Sequence, residues 1–232
     1  MVNLKKVVFG LSLLLSFVVL SFSAYIIYIA KIKQMMTFKD IDPSSYIVQK
    51  LYNEIHTTVS SEAQFEFYDK EKLNNSYLLQ IGLQNIFQNQ EYVTLEDVQN
   101  EIKNKTSITT LTPHSICGYQ YLSLNKIFIK QNDCNQNINY GFLTKITGAK
   151  ENETTLIIEE KSVYYTLDNE DNRNSLIVYK NTKQQDILFG INSTLNDNSY
   201  LNIDNYIDKA EGYQYIFQKK NKEYIFKEIK KI

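Results

Sequence analysis

Side chains suited to catalysis or metal binding are few in this sequence. It has two histidines, His56 and His114, so a zinc site built from three histidine ligands is excluded. A mixed site of histidine and carboxylate ligands stays open, although no group of such residues has ligand spacing. We expect His56 to lie partly exposed at the end of a helix, and His114, beside Pro113, to lie in a loop or at the start of a strand.

The most acidic stretch begins at Asp168 and contains Glu170 and Asp171, and its oxygen-bearing side chains alternate as in a calcium loop. Two residues depart from the EF-hand pattern, because Arg173 stands in place of the required glycine and Tyr179 in place of the bidentate glutamate. A solvated turn between two strands is therefore favoured over a calcium site. The glycines do not cluster, and no phosphate loop, dinucleotide loop or G-x-S-x-G motif is present. The sequence predicts no catalytic residue, no metal ligand and no cofactor.

Both cysteines bracket one alternating segment, ICGYQYLSLNKIFIKQNDC. Fully extended, the chain between Cys117 and Cys134 would reach about 56 Å, whereas a disulfide needs Cα atoms roughly 4.4 to 6.8 Å apart. Two strands at 118–122 and 127–130, joined by a turn, would bring the cysteines together at the open end of a hairpin. We therefore predict a Cys117–Cys134 disulfide, which would persist only outside the reducing cytosol. The alternatives are unpaired cysteines buried as small apolar residues and, less favoured because the spacing is far from C-x-x-C, a metal or redox pair.

The C-terminal end is the most basic part of the chain. Lysine on an edge strand commonly blocks pairing with other sheets, and this is the favoured interpretation. Contact with anionic wall polymers or lipid headgroups is the functional alternative. The six lysines concerned are Lys219, Lys220, Lys222, Lys227, Lys230 and Lys231.

The N-terminal segment carries the strongest single signal. The residues from Val7 to Ala30 contain no charge, and as a helix they would reach about 36 Å, enough to cross a hydrocarbon core of roughly 30 Å. A cleaved signal peptide is the alternative, because small residues precede Ala24, but the apolar run is longer than a signal peptide needs. A buried core helix is a third interpretation. We expect a leader at 1–6, a transmembrane helix at 7–30, a linker at 31–43 and an α+β domain at 44–232.

Lysines flank the apolar segment on both sides, so the positive-inside rule alone does not fix its orientation. The predicted disulfide favours a single-pass protein of the cell membrane with its N-terminus inside and its domain outside. A formal net charge of −1 argues against a nucleic-acid partner, which would require a basic excess.

Periodicity predicts helices first and strands afterwards, which is typical of an α+β fold with a mainly antiparallel sheet and a C-terminal hairpin. Asp42-Pro43 reads as the start of the first domain helix, and Phe65, Phe67 and Tyr68 read as a short extended or aromatic segment. The predicted helices lie at 44–57, 75–89, 94–103 and, shorter, 203–210. The predicted strands lie at 107–111, 118–122, 127–130, 139–146, 154–160, 162–168, 175–180 and 186–190, followed by the hairpin GYQYIFQKK and EYIFKEIKKI.

Several segments together resemble uncharacterised single-pass membrane-anchored proteins of low-GC Gram-positive bacteria, especially those that live in the gut. They are the lysine-led N-terminal anchor, the helix with VQKLYNEI, the strand CGYQY and the C-terminal segment YQYIFQKKNKEYIFKEIKKI. The resemblance implies an extracytoplasmic α+β domain and supplies no catalytic residues.

The favoured functional hypothesis is a membrane-anchored extracytoplasmic binding or structural module. Tyrosines that share a strand face, such as Tyr119 with Tyr121 and Tyr213 with Tyr215, would offer a contact surface to a protein or glycan at the cell surface, unless they lie in the core. One alternative is a cell-surface hydrolase or a wall- or lipid-modifying enzyme with a pair of carboxylates or a histidine in a pocket. Another is an accessory protein that binds a solute or a peptide in an apolar groove.

Overall fold

The structure, a computed structural model, describes residues 4–56, 62–87, 90–131, 139–170, 173–193, 201–221 and 223–232. It confirms the α+β class, with helices first and a mainly antiparallel sheet afterwards. The helices are α1 Leu4–Met36, α2 Tyr46–Ile55, α3 Glu62–Lys70, α4 Asn75–Ile86 and α5 Leu95–Thr106. The strands are β1 Lys39–Asp40, β2 Tyr92–Thr94, β3 Tyr119–Leu122, β4 Ile127–Lys130, β5 Tyr140–Glu151, β6 Thr155–Glu170, β7 Arg173–Tyr179, β8 Ile187–Ser193, β9 Glu211–Lys220 and β10 Glu223–Lys231.

Helix α1 is long and apolar enough to cross a membrane. Its window Leu15–Lys33 has a mean hydropathy of 1.9 and is not buried against the rest of the described chain. The helix does not stop where the polar linker was predicted to begin, but continues to Met36. Only Thr37 and Phe38 separate it from β1, which pairs with β5. The linker at 31–43 is therefore not a simple spacer, because part of it is an edge strand of the main sheet.

The main sheet branches at β6. Strand β5 runs along one side of β6, while the other side pairs first with β9, along Thr155–Ser162, and then with β7, along Tyr164–Glu170. Strand β8 extends the β7 arm, and β10 extends the β9 arm as the predicted C-terminal hairpin. The prediction of two strands divided near Lys161 was wrong, because Lys161 keeps its place in the alternation and pairs with Lys145 and Gly212.

Helices α2, α3 and α4 cover one face of the β5, β6, β9 and β10 arm. Successive inward positions of β9 and β6 supply its buried residues, which pack on the apolar sides of these helices. The prediction of an extended segment around Phe65 was wrong. Phe67 and Tyr68 lie one helical turn after Ala63 and Gln64, and all four are buried, so their spacing suits a helix that packs on the sheet. Phe67 stacks on Tyr77 with 4.2 Å between ring centroids.

A second, smaller sheet has the strand order β2-β4-β3 and packs with α4 and α5. Thr94 and Asp97 form the predicted capping box at the start of α5. The strand predicted at 107–111 is a loop instead. Ile108 and Leu111 pack against the core of this part, and the Asn75 side chain accepts a hydrogen bond from the backbone of Thr112 at 2.8 Å.

Two further boundary predictions were wrong. Asp42 does not cap α2, but accepts hydrogen bonds from the backbone and hydroxyl of Ser44 at 2.8 and 2.7 Å, and the helix begins at Tyr46. This local turn satisfies the carboxylate before the helix starts. The helix predicted at 203–210 is a single 3-10 turn, Ile203–Asn205, followed by a turn that leads into β9.

Candidate functional site

One acidic side chain lies in the middle of the main core. Glu160 follows Leu156 and Ile158 on the helix-facing side of β6, and it is 1% exposed. Strand alternation requires this position to point inward with its apolar neighbours. Sequence reasoning missed Glu160 as a site residue, although its phase with Leu156 and Ile158 in the segment LIIEEK was the available signal.

Three tyrosines donate hydrogen bonds to the Glu160 carboxylate. The Tyr52 hydroxyl of α2 and the Tyr215 hydroxyl of β9 donate to Oε2, the latter at 3.1 Å, and the Tyr68 hydroxyl of α3 donates to Oε1 at 3.0 Å. The oxygens of Tyr68 and Tyr215 lie 3.3 Å apart, and the oxygen of Tyr52 lies 3.3 Å from Thr144 Oγ1. We call Glu160 with these three tyrosines the carboxylate cluster. It joins two helices and two strands in one buried polar network.

Burial dominates the acid-base properties of the carboxylate cluster. It raises the pKa of Glu160 to about 7, although the three hydroxyl hydrogen bonds act in the opposite direction. Burial and the neighbouring Glu160 charge hold the pKa values of Tyr52, Tyr68 and Tyr215 well above their usual range. At neutral pH the three tyrosine hydroxyls therefore stay protonated, while the Glu160 carboxyl group titrates near pH 7.

His56 borders this network and is buried, not partly exposed as predicted. Its ring stacks on Tyr52 with 4.6 Å between centroids, and its Nε2 has no hydrogen-bond partner among the described residues. Burial lowers the pKa of His56 to about 4. The imidazole is therefore neutral at pH 7, and its ring packs on Tyr52 at the C-terminal end of α2.

His114 lies in the loop after α5, as predicted. Its ring nitrogens contact Asn75 Nδ2 at 3.1 Å and Ser76 Oγ at 2.9 Å, at the start of α4. Within the described part of the chain, no group of three or more histidine, cysteine, aspartate or glutamate residues could hold a metal ion.

Four surface clefts formed by described residues contain neither a histidine nor any member of the carboxylate cluster. One cleft of about 620 Å³ runs between α4 and α5 and is lined by amides together with Asp97 and Glu101. Another, of about 410 Å³, contains Glu54, but Lys105 pairs with that carboxylate at 2.5 Å. None of these four clefts reaches the carboxylate cluster.

The basic C-terminal residues do not form a single patch. Strand alternation places Lys219 and Lys231 on the helix-facing side of the hairpin and Lys220 and Lys230 on the opposite side, while Lys227 lies at a bulge. Lys231 pairs with the buried Glu211 at 2.5 Å, Lys230 pairs with Glu228 at 2.8 Å, and Lys219 lies 5.3 Å from the Tyr224 ring centroid. Lys222 lies outside the described residues. The arrangement suits edge protection on β10 better than a continuous surface for anions.

The acidic stretch around Asp168 forms the end of β6, and Glu170 pairs directly with Arg173 of β7, as in the predicted hairpin. Asp171 and Asn172 lie outside the described residues. The four tyrosines expected on shared strand faces pack against the cores: Tyr213 and Tyr215 are buried in the main core, and Tyr119 and Tyr121 pack on the core of the small sheet. Their faces are therefore occupied within the molecule.

Cys117 is partly buried beside the small sheet, and the predicted hairpin of β3 and β4 is confirmed. At its open end, the Gln131 amide donates a hydrogen bond to the Gly118 carbonyl at 2.9 Å. Cys134 lies outside the described residues, so the Cys117–Cys134 bond stays a prediction.

Comparison of the chain with protein-family models, with curated proteins and with solved structures gave no match. The resemblance to membrane-anchored proteins of Gram-positive bacteria therefore stays a prediction.

Proposed function

We propose that this chain is a single-pass membrane protein whose α+β domain lies outside the cytoplasm and serves as a binding or structural module. The observation that carries the proposal is helix α1, whose apolar side chains from Leu15 onward are exposed and contact no core. A long apolar helix of this kind is stable when a bilayer covers it. Thr37 and Phe38 alone connect it to β1, so the domain would lie close to the membrane surface.

The cysteines support placing the domain outside. Gln131 lies beside Gly118 across the hairpin, and Cys134 follows only three residues later. Three residues span up to roughly 10 Å, which is enough for Cys134 to reach Cys117. A disulfide closing this loop would stabilise the domain by about 3 kcal/mol on the chain-entropy model. Such a bond would persist in an oxidising compartment and not in the cytosol.

The expected partners are the membrane itself and a protein or glycan at the cell surface, with no nucleic acid. The two clefts that border α5 are lined mainly by polar side chains, which favours a hydrogen-bonding partner over an apolar solute. The carboxylate cluster is enclosed in the core, so its contribution is to the domain's structure and its response to pH. This arrangement favours a module over the hydrolase alternative.

The proposal is tested by labelling intact cells with a membrane-impermeant maleimide before and after reduction. Peptides that contain Cys117 and Cys134 are then read by mass spectrometry. Labelling of both thiols only after reduction is the expected result, because it requires an external domain and a closed disulfide. Labelling without reductant, and only after the cells are permeabilised, would place the domain in the cytosol and contradict the proposal.

A further inference from the structure

Helix α1 is joined to the main sheet by a very short connection. The Thr37 hydroxyl donates a hydrogen bond to the Lys33 carbonyl at 2.8 Å, so the chain is still held to the helix end at this residue. Phe38 alone then precedes β1, whose Lys39 lies opposite Glu151, the last residue of β5. A connection of this length keeps Lys39 within roughly 10 Å of the end of α1. The chain therefore enters the sheet at the end where β5 stops.

Two turns, β5–β6 and β9–β10, lie at this same end of the sheet. Lys39 belongs to one row of paired residues that crosses five strands through Glu151, Leu156, Phe217 and Phe226. Both turns lie beyond this row, on the side from which the chain arrives from α1. Strand β9 continues past the row to Lys220, which corresponds to about 10 Å. The turns therefore reach back toward α1 about as far as the connection extends.

The two turns are held together by hydrogen bonds. The Lys219 amide donates to the Thr154 carbonyl at 2.7 Å, and Asn152 Oδ1 accepts a hydrogen bond from the Thr154 amide at 2.9 Å. The Tyr224 hydroxyl of β10 donates to Glu151 Oε2 at 3.0 Å, which ties the start of β10 to the end of β5. The turns therefore present one continuous surface.

The side chains at the tips of the two turns are polar and exposed. They suit the headgroup layer of a membrane and not its hydrocarbon core, and a lysine ammonium can bind a lipid phosphate. Acidic residues, among them Glu223, balance much of the positive charge, so the surface does not require an anionic lipid. The exposed tip residues are Glu153, Thr154, Lys219, Lys220 and Asn221.

We propose that the β5–β6 and β9–β10 turns rest on the phospholipid headgroups of the bilayer that α1 crosses, so that the strands of the main sheet rise away from the membrane. The uncharged run of α1 ends at Ala30, and Met36 lies about 9 Å further along the helix axis. The headgroup layer is roughly 5 to 8 Å thick on each side, so α1 ends at its outer boundary. Turns that reach back to this level meet the headgroups. This inference rests on the proposed membrane anchor.

The test is fluorescence quenching of the full chain in phosphatidylcholine liposomes, with a nitroxide quencher attached to the lipid headgroup. A thiol-reactive dye is placed on the β5–β6 turn by Thr154→Cys or on the β9–β10 turn by Lys220→Cys. The matched control is Gly190→Cys, because this position is exposed and an added Cβ would meet no atom within 4 Å. Gly190 lies level with Thr166, about 36 Å along β6 from Thr155. The unsubstituted chain gives the background from the native cysteines.

The expected result is quenching at Thr154→Cys and at Lys220→Cys at least threefold stronger than at Gly190→Cys. Equal quenching at the three positions, or stronger quenching at Gly190→Cys, would overturn the proposal. Quenching on one turn alone would overturn the joint contact of the two turns. Flotation separates the two levels of inference. Liposomes that carry the chain but show no difference in quenching contradict the contact of the turns alone, whereas a chain that does not float contradicts the anchor and, with it, this contact.

Discussion

At the scale of the residue, the carboxylate cluster places an ionisable carboxyl group in the protein core, where burial disfavours its charged form. An ionised carboxylate in a protein core is destabilising unless it is hydrogen-bonded, and Glu160 receives three hydroxyl hydrogen bonds but no cation among the described residues. The pKa of Glu160, about 7, is still raised, because the three hydrogen bonds offset only part of the free-energy cost of burying the charge. His56, with an unpartnered Nε2, has the opposite shift for the same reason, since burial favours its neutral form.

The first prediction concerns Glu160→Gln. The folded state holds the Glu160 proton up to about pH 7, and the unfolded chain loses it near 4.5, so this group lowers the free energy of unfolding as the pH rises between these values. The shift corresponds to a loss on the order of 3 kcal/mol. The variant cannot ionise and should therefore be more stable relative to the wild type at pH 8 than at pH 5. Thermal unfolding followed by circular dichroism across this range is the measurement, and an unchanged difference would contradict the prediction.

The second prediction concerns His56→Phe, which keeps an aromatic ring beside Tyr52. The unfolded chain gains a proton on this histidine near pH 6.5, and the folded chain gains it only near 4, so stability is lost as the pH falls between them. In the wild type this loss opposes the gain from Glu160 over the same interval. The variant should become more stable on acidification from pH 7 to pH 5, measured by the same thermal unfolding. A variant whose stability responds to acidification in the same way as that of the wild type would show that His56 does not contribute this loss.

The carboxylate cluster could be predicted from the sequence only in part. The phase of Glu160 with Leu156 and Ile158 marks it as inward-facing, but the three tyrosines come from distant segments. Nothing in local spacing says that Tyr52, Tyr68 and Tyr215 meet. His56 was misplaced because its burial depends on packing beyond the end of its helix.

At the scale of the element, sequence patterns predicted the features that depend on residues close together in the chain. The capping box of α5 and the two hairpins are set by residues close in sequence, and they were confirmed. Helix α3 was missed because its buried side, Ala63, Gln64, Phe67 and Tyr68, is short and contains a glutamine. The length of β6 was missed because Lys161 was taken as a break, whereas both of its neighbouring strands continue past it.

The third prediction concerns the close approach of α4 and α5. A Cβ on Gly82 would lie 2.9 Å from Ile102 Cγ1 and 3.1 Å from Val98 Cγ1. Alanine favours a helix by about 1 kcal/mol over glycine, but overpacking of a core costs roughly 1 to 3 kcal/mol. Gly82→Ala should therefore lower the melting temperature despite its better helix propensity. Gly190→Ala is the matched control, because that Cβ would meet open space, and it should have little effect. Stabilisation by Gly82→Ala would mean that the two helices can separate without cost.

At the scale of the whole molecule, the two main features are the branched sheet and the apolar N-terminal helix. Strand β6 connects two arms, of which the β9–β10 arm is covered by helices and the β7–β8 arm ends in an uncharged edge. The α+β class and the apolar N-terminal helix were predictable, because they follow from hydrophobic patterning along the chain. The branching of the sheet was not, since it depends on which distant strands pair.

The most direct test of the proposed single-pass topology is to determine on which side of the membrane the N-terminus and the domain lie. A thiol is introduced before the helix by Asn3→Cys, or on the domain by Leu124→Cys, whose parent side chain is 98% exposed. Intact cells are then treated with a membrane-impermeant maleimide, with the unsubstituted chain as background. The account predicts that Leu124→Cys is labelled in intact cells and that Asn3→Cys is labelled only after permeabilisation. Labelling of Asn3→Cys alone in intact cells would reverse the topology, and labelling of neither would place both ends inside.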